Sequence, residues 1–375
     1  MEFPRTGAII DNLTESRKIP SISAAVDIDG EPAFLKAAGQ IFEDQSPINE
    51  ETQFDIASVT KVFSGICFMQ MVEEGRFSLD EPVCEVFPQL GGKKLIEKDG
   101  KVIRYADGST VTWKHVLCHT SGMGWTRPKT RPSLPGIDRG SDVIFILPFA
   151  ADVNEHIIYS DLPVILMGKA MEMAEGRPLD WIVQERLLTP LQLNHTGYRR
   201  ISQYSSGSDF SGRYFSKDAV APTEHDTAFR RKRIWGEVHD ENAWLMDGVS
   251  AHAGIFSTAK DVYSLMRAFA DAREHGGILK LETAREMSSL QAEENGDRRA
   301  LIWQMSGRGE HAYTRLLSDV AYGHAGFTGC FVWNDPIRKI SIVFLSNDIY
   351  NGRDHRVLAA YRPAIMKAIL DDLGM

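Results

Sequence analysis

Cysteines are few in this sequence, and it lacks both a long apolar run and a recognisable export signal. Four of its 375 residues are cysteines, scattered without the spacing of metal ligands: Cys67, Cys84, Cys118 and Cys330. No run of about 18 apolar residues occurs, which excludes a membrane-spanning helix. The first residues lack the basic end, apolar stretch and small-residue cleavage site of a signal peptide. We therefore expect a cytoplasmic protein, or a periplasmic or secreted one if an export signal has been trimmed.

Positively charged residues are fewer than negatively charged ones. Asp and Glu number 51 against 42 Lys and Arg, and the formal net charge is -9. Nucleic acids and anionic membranes repel such a chain, so we expect neither as a partner. The basic run at 230–233 is more typical of a solvated loop than of a polyanion site. The expected partner is a small-molecule or short-peptide substrate, and the sequence leaves the oligomeric state open.

Strand signals lie at the two ends of the chain, and helical signals lie between them. Residues 21–39 predict a hairpin, because the Asp29-Gly30 dipeptide favours a tight turn. Residues 322–347 predict two long strands joined by a turn at 334–336. Helices are expected at about 58–74, 112–118, 161–175, 179–188, 259–275, 281–290 and 354–371.

This order predicts an α+β protein in which both chain ends build one antiparallel sheet flanked by helices. We expect a single unit over residues 1–375, with the sheet region at about 1–55 and 251–375. A mainly helical region, about 56–250, is inserted, and the active site is expected between the two regions. The segment 58–74 is apolar on nearly every face, which predicts a buried helix.

The stretch "FDIASVTKVFSG" at 54–65 places Ser58 three residues before Lys61. At a helix start these positions share one face, so the lysine amine can reach the serine hydroxyl. A lysine held in a dry site can act as a base for such a nucleophile. The alternative is a helix N-cap followed by a surface lysine, since this spacing occurs by chance in most long proteins.

Two further stretches carry candidate groups. In "IIYSDLPVILMGKAME" (157–172), Tyr159 precedes an apolar helix, and a phenol near a lysine can relay a proton. Taken alone, this stretch favours a core tyrosine beside a Ser160 or Asp161 cap. "GHAGFTG" (323–329) has three glycines, which let an extended substrate approach the strand and meet an amide N–H. The alternative there is a bulged strand.

Together the stretches resemble the serine beta-lactamase and penicillin-binding protein superfamily, in its class C beta-lactamase-like (family VIII esterase-like) branch. "FDIASVTK" is similar to the active-site serine motif, "YSD" to the tyrosine motif and "GHAGFTG" to the third motif. "VTWKHVLCHTSGM" (111–123) and the segment 236–262 resemble further segments of this branch. The resemblance runs from about residue 18 to 372, with the motifs in family order.

The resemblance implies a role for each matching residue. Ser58 would be the acyl-accepting nucleophile, Lys61 its proton partner and Tyr159 the second acid/base group. The backbone N–H groups of Ser58 and Phe327 would form the oxyanion hole. Substrate would be bound by Asp161, His324, Ala325 and Gly326. The implied two-step mechanism needs no metal and no organic cofactor.

Two positions depart from the family pattern. His324 stands where many members have lysine, and a neutral histidine supplies less positive field. Asp161 replaces the usual asparagine, and an ionised aspartate accepts hydrogen bonds but donates none. This aspartate would instead hold Lys61 charged or bind a donor on the substrate. Both changes suit an esterase or amidase better than an efficient beta-lactamase.

Several other residues are weaker candidates. We expect His119 and His252 to brace loops, whereas His239 and Asp240 are possible cleft residues. Three tryptophans are expected either to line the cleft or to pack in the core: Trp125, Trp235 and Trp244.

The sequence thus predicts a serine hydrolase that cleaves an ester or an amide through an acyl-Ser58 intermediate. A D-stereospecific peptidase, a D,D-carboxypeptidase-like enzyme and a true beta-lactamase use the same catalytic parts and stay open as alternatives. An alternative of another class is a non-catalytic scaffold or binding protein that kept the fold.

Overall fold

The computed structural model describes residues 2–41, 46–98, 101–124, 144, 147–202, 219–307 and 312–375. The helices in these ranges are α1 (Pro4–Glu15), α2 (Thr60–Glu73), α3 (Trp113–Cys118), α4 (Leu162–Glu175), α5 (Leu179–Val183), α6 (Glu241–Leu245), α7 (Ala259–His275), α8 (Leu281–Met287) and α9 (Leu358–Asp372). None of these helices is both long and apolar enough to cross a membrane.

The strands in the same ranges are β1 (Ser21–Ile28), β2 (Glu31–Gly39), β3 (Phe54–Asp55), β4 (Lys93–Lys98), β5 (Lys101–Asp107), β6 (Gly197–Tyr198), β7 (His225–Asp226), β8 (Lys232–Arg233), β9 (Ile255–Ser257), β10 (Ala292–Glu294), β11 (Asp297–Arg299), β12 (Gln304–Met305), β13 (Tyr322–Ala325), β14 (Phe331–Asp335) and β15 (Ile340–Ser346).

One eight-stranded antiparallel sheet joins the two ends of the chain. Its strand order is β10-β11-β12-β13-β14-β15-β1-β2, so that β1 pairs with β15, with Ile22 opposite Ser346. The β1–β2 hairpin turns at Asp29 and Gly30, whose φ angles of 54° and 80° suit a tight turn. The predicted α+β class and the sheet built from both chain ends are confirmed.

Side chains of the central strands alternate between two cores, as the two-residue period of a strand requires. One core covers the face beneath α1 and α9 and includes Ala24, Phe331 and Phe344. The other face packs on the helical part through Val332 and Val343. Complete burial of a valine or phenylalanine side chain in these cores stabilises the fold by about 1.5–3 kcal/mol.

Helix α2 runs through the second core and carries the candidate lysine. It is buried almost throughout, because an apolar surface on every side leaves no face for water. Gly75, with a φ of 72°, ends it in the left-handed conformation common after helices. Burial also raises the pKa of the Cys67 thiol in this helix to about 12, so this cysteine is an inert core residue.

The structure differs from the sequence prediction at several elements. Residues 322–347 form three strands instead of two, because a turn at 326–330 separates β13 from β14. The predicted turn at 334–336 is displaced: Asp335 still pairs with Ile340 in the sheet, and the chain turns at 336–339. The hairpin β4–β5 and the short strands β10–β12 were not predicted. Helix α8 ends at Met287 and α9 begins at Leu358, inside the predicted bounds.

Candidate active site

Ser58 lies in a short 3-10 turn, Ala57–Val59, that leads directly into α2. Its Oγ accepts a hydrogen bond of 2.9 Å from Lys61 Nζ. Val59 occupies the N-cap position, and no side chain caps this helix. Lys61 is fully buried rather than exposed. The interpretation as an N-cap followed by a surface lysine is therefore wrong.

The ammonium of Lys61 has a carboxylate as its closest charged partner. Nζ lies 2.7 Å from Asp161 Oδ1 and also donates to the carbonyl oxygen of His252 at 3.2 Å. Burial alone acts to lower the pKa of Lys61, but Asp161 and Tyr159 outweigh it and raise the pKa above its ordinary value. Lys61 is therefore charged in this structure, and it donates to the Ser58 hydroxyl.

Tyr159 stands half-buried among titratable side chains. The Lys61 ammonium lies 5.0 Å from the centroid of the phenol ring, and the rings of His119 and His324 lie 4.6 and 6.1 Å away. The guanidinium carbon of Arg299 is 5.3 Å from the same centroid. Arg299 was not among the sequence candidates, because it comes from a short strand without a motif.

His119 holds the chain on both sides of Tyr159. Its carbonyl oxygen accepts from the backbone N–H of Ile158 at 2.8 Å, and its Nδ1 accepts from the N–H of Ser160 at 3.4 Å. Burial, with the nearby charges of Arg299 and Lys61, holds the pKa of His119 well below its usual range. The imidazole is thus neutral, which leaves Nδ1 able to accept.

The turn after β13 packs against the turn that carries Ser58. A Cβ on Gly326 would lie 2.5 Å from the carbonyl oxygen of Ile56, so the close approach requires glycine. Thr328 Oγ1 adds a hydrogen bond of 2.7 Å to the carbonyl oxygen of Asp55. These contacts place the backbone at Phe327 beside the Ser58 turn, as an oxyanion hole of two amides requires.

Asp55 ties three parts of this site together, although the sequence analysis did not single it out. Its carboxylate accepts from the N–H of Ala57 at 2.8 Å and from the N–H of His239 at 2.7 Å. Ala57 has a φ of 48°, a conformation that costs a non-glycine residue about 1 kcal/mol or more. Burial raises the pKa of Asp55, partly offset by the bond from His239. The signal was its place in the serine motif, two residues before Ala57.

The rings of His239 and Phe327 stack on each other. Their ring planes differ by 17°, with centroids 5.7 Å apart, and His239 Nε2 lies 2.8 Å from Glu224 Oε2. His239 is buried, while Phe327 keeps 38% of its surface exposed. His239 therefore supports the Phe327 turn from beneath, and Phe327 is the residue of the pair that faces solvent.

A carboxylate–imidazole pair lies next to Asp161. His252 Nε2 is 2.9 Å from Asp240 Oδ1, its Nδ1 is 2.7 Å from Ser250 Oγ, and the ligand atoms of Asp161, Asp240 and His252 lie within 4.8 Å of one another. Burial acts to raise the pKa of Asp240, but His252 outweighs it and lowers the pKa. Lys61 pairs with Asp161, and the His252 ring lies within hydrogen-bond distance of Asp240.

The remaining candidates occupy different surroundings. His324 is buried in β13, with its Nδ1 2.9 Å from the carbonyl oxygen of Ala325. Trp235 donates through Nε1 to the carbonyl oxygen of Val220 at 2.7 Å, and Trp244 packs edge-on against Phe229, so both pack in a small satellite core. Trp125 lies outside the described residues.

A serine hydroxyl, a buried ammonium and a phenol thus meet beside two backbone turns, between the sheet and the helices. The sequence profile of the beta-lactamase family matches residues 7–366. The chain belongs to the beta-lactamase family. Together with the fold, this membership makes the protein a beta-lactamase-like serine hydrolase, as the resemblance of its motifs predicted.

Individual relatives carry different names. A provisionally named D-alanyl-D-alanine carboxypeptidase of Escherichia coli is 27% identical over 353 residues, which cover 88% of this chain and 78% of that protein. EstCE1, a hydrolase with promiscuous acyltransferase activity, superposes with a TM-score of 0.73 at 20% identity over 98% of this chain and 97% of its own. D-amino acid amidase from Ochrobactrum anthropi gives a TM-score of 0.71 at 18% identity over 98% of each chain. The two structures show a shared fold.

Proposed function

We propose that this beta-lactamase-like hydrolase is an esterase or amidase of the class C-like type, which cleaves its substrate through an acyl intermediate on Ser58. The hydrogen bond of 2.9 Å between Lys61 Nζ and Ser58 Oγ carries this proposal. The bond joins a hydroxyl to a fully buried cation at the start of a rigid helix. A helix cap followed by a surface lysine would require neither the burial of the cation nor its contact with the hydroxyl. The same contact argues against a non-catalytic scaffold.

The charge on Lys61 decides which group takes the serine proton. Because Lys61 already carries its proton and donates to Ser58 Oγ, we assign the acceptor role to Tyr159 in its deprotonated form. Oγ attacks the substrate carbonyl carbon as its proton passes to Tyr159. The N–H groups of Ser58 and Phe327 stabilise the oxyanion.

Collapse of this oxyanion breaks the bond to the leaving group, which takes the proton from Tyr159 and departs as an alcohol or amine. A water molecule then attacks the acyl carbon and gives a proton to Tyr159. Ser58 leaves the carbonyl carbon and regains a proton from Tyr159, so the acid product forms and the enzyme is restored.

The Asp161 carboxylate indicates which substrates the site suits. The Asp161 carboxylate is engaged with Lys61 at 2.7 Å and, unlike asparagine, offers no donor to an acyl-amide carbonyl. We therefore expect slow turnover of beta-lactams and faster turnover of simple esters and amides. The second candidate is a D-stereospecific peptidase or amidase, favoured by the names of the carboxypeptidase relative and the D-amino acid amidase.

The test is Ser58→Ala, assayed with p-nitrophenyl butyrate and with a fluorophosphonate probe read out by intact mass. Turnover should fall at least about 1000-fold and the covalent adduct should disappear, because no other group replaces the nucleophile. Ser64→Ala is the matched control, since Ser64 lies on the same buried helix and bonds to the carbonyl oxygen of Ala251 at 2.7 Å. Survival of turnover and labelling in Ser58→Ala would overturn the proposal.

The substrate class is tested separately with wild-type protein. D-amino-acid amides, D-Ala-D-Ala peptides and nitrocefin are compared with p-nitrophenyl butyrate by kcat/KM. A preference for the D-configured substrates over their L-configured counterparts would favour the second candidate, and efficient nitrocefin turnover would contradict the expected weak beta-lactamase activity.

A further inference from the structure

Arg299, at the end of the short strand β11, is a buried cation beside Tyr159. Its side chain is 4% exposed, and its guanidinium carbon lies 5.3 Å from the phenol centroid. Its ion-pair partner is Asp297, with Nη2 3.0 Å from Oδ2 and Nε 2.9 Å from Oδ1. Nη1 is buried and makes no hydrogen bond to the residues that the structure describes. An N–H buried in this way costs free energy, which a purely structural arginine would avoid.

The other charged and titratable groups that face Tyr159 come from four places in the described part of the chain. They are Lys61 of α2, His119 after α3 and His324 of β13, which contact the phenol ring, and Asp161 at the start of α4, which pairs with Lys61. The positive charge of Lys61 is offset at 2.7 Å by Asp161, whose side chain is 16% exposed. His119 is held neutral, with Arg299 as one cause of its lowered pKa after burial.

Arg299 differs from Lys61 in how its charge is compensated. Its counter-ion Asp297 has a side chain that is 37% exposed, so water screens that carboxylate more than it screens the buried guanidinium. The field of Arg299 therefore reaches the Tyr159 ring with less compensation than the field of Lys61.

We propose that Arg299 is a positioning residue that stabilises the negative charge of Tyr159 whenever the phenol holds no proton. This inference rests on the proposed function, in which Tyr159 accepts the proton of Ser58. An opposite charge within about 6 Å favours the charged form of a titratable group. His324 stands in β13 where many members of the branch have lysine, and Arg299 brings its positive charge from β11, two strands further along the sheet.

The experiment measures kcat/KM for p-nitrophenyl butyrate between about pH 5 and pH 9 in four variants of the full chain. Arg299→Gln should raise the pH of half-maximal kcat/KM by about one unit and lower kcat/KM about tenfold near pH 7. Arg299→Lys should restore most of the wild-type profile. Asp297→Asn removes the counter-ion and should move the half-maximal pH downward.

Arg298→Gln is the matched control, because it removes the same charge from the neighbouring residue. The Arg298 guanidinium donates to the carbonyl oxygens of Ser306 and Asp319 at 2.8 and 2.7 Å, and its profile should match the wild type. If Arg299→Gln gives the profile of Arg298→Gln, the proposal is wrong. It is also wrong if Asp297→Asn moves the profile in the same direction as Arg299→Gln.

If Arg299→Gln does not fold, the variants Arg299→Lys and Asp297→Asn decide the question. A near-wild-type profile in Arg299→Lys together with a downward shift in Asp297→Asn supports the proposal. An unchanged profile or an upward shift in Asp297→Asn overturns it. Ser58→Ala separates the two levels of inference. Its turnover tests the proposed function, whereas wild-type pH profiles in Arg299→Gln and Asp297→Asn beside an inactive Ser58→Ala would overturn the role of Arg299 alone.

Discussion

Lys61 Nζ lies 2.7 Å from Asp161 Oδ1, so the buried amine beside Ser58 is in direct contact with a partly buried counter-ion. The raised pKa of Lys61 means that its stabilising effect is complete below about pH 10.5, the ordinary value, and is lost only as the pH rises through the folded-state pKa. In the wild type this pair therefore adds no pH dependence to stability near neutrality.

Asp161→Asn should create such a dependence. With the carboxylate gone, only Tyr159 opposes the effect of burial, and we expect the pKa of Lys61 to fall below that of the unfolded chain. The free energy of unfolding, measured in urea, should then be about 3 kcal/mol lower than wild type near pH 6, with part of the loss recovered near pH 9. The double variant with Lys61→Met serves as control and should show no such slope, while a flat profile in Asp161→Asn would contradict the prediction.

Asp55→Asn should impair acylation more than substrate binding. An asparagine can accept from one of the two amides that Asp55 now holds, and its own NH₂ group would face the other donor. We expect kcat to fall about 100-fold with little change in KM, as when an oxyanion-hole donor is misplaced. Asp107→Asn is the control, since Asp107 caps an exposed turn through the N–H of Ser109. Equal kinetics in both variants would rule out this role for Asp55.

Gly326→Ala tests the close approach of the two turns. The new Cβ would meet the Ile56 carbonyl oxygen at 2.5 Å, so the turn that carries Phe327 must move away from Ser58. Stopped-flow acylation should slow about 100-fold, and the free energy of unfolding should fall by about 1–3 kcal/mol. Gly7→Ala in α1 has room for its Cβ and should stabilise by about 0.5–1 kcal/mol with unchanged activity. Normal acylation in Gly326→Ala would show that the approach is not required.

Asp27 makes the sheet itself sensitive to pH. Burial raises the pKa of this β1 carboxyl from 3.8 to about 6, partly offset by the hydrogen bonds from Ser341. A raised pKa contributes stability that is full below about pH 4 and is lost as the pH rises through about 6. Asp27→Asn should therefore unfold like wild type near pH 4 but be about 2–3 kcal/mol more stable near pH 8. Parallel stability profiles for the two proteins would contradict this.

Local patterns predicted the elements whose signals are contained in a few residues. The hairpin β1–β2 followed from Asp29-Gly30, and α2 from an apolar segment that ends at Gly75. The short strands β10–β12 were not predicted, because polar segments of two or three residues become strands only by pairing with their neighbours in the sheet, which the local sequence does not encode. The β4–β5 hairpin likewise lacks the apolar alternation of a half-buried strand.

The residues of the candidate site also differ in whether a local sequence motif predicted them. Ser58, Lys61 and Tyr159 lie in motifs that the sequence displays, and the structure brings them together. The contact between Lys61 and Asp161 was one of two roles suggested for that aspartate. Arg299 was not recognised, because its approach to Tyr159 depends on the order of the strands in the sheet. Asp55 was not recognised, because its role depends on hydrogen bonds from the backbone of Ala57 and His239, which sequence spacing does not predict.

The pairing of β1 with β15 sets the order of events during synthesis. The first strand leaves the ribosome long before its neighbour is translated, so the central sheet closes late and through contacts of very large sequence separation. The turn at Phe327 is likewise translated long after Ser58. In the proposed mechanism, a nascent chain that already contains Ser58 lacks the second amide of the oxyanion hole, so it cannot form an acyl-enzyme before Phe327 has been translated.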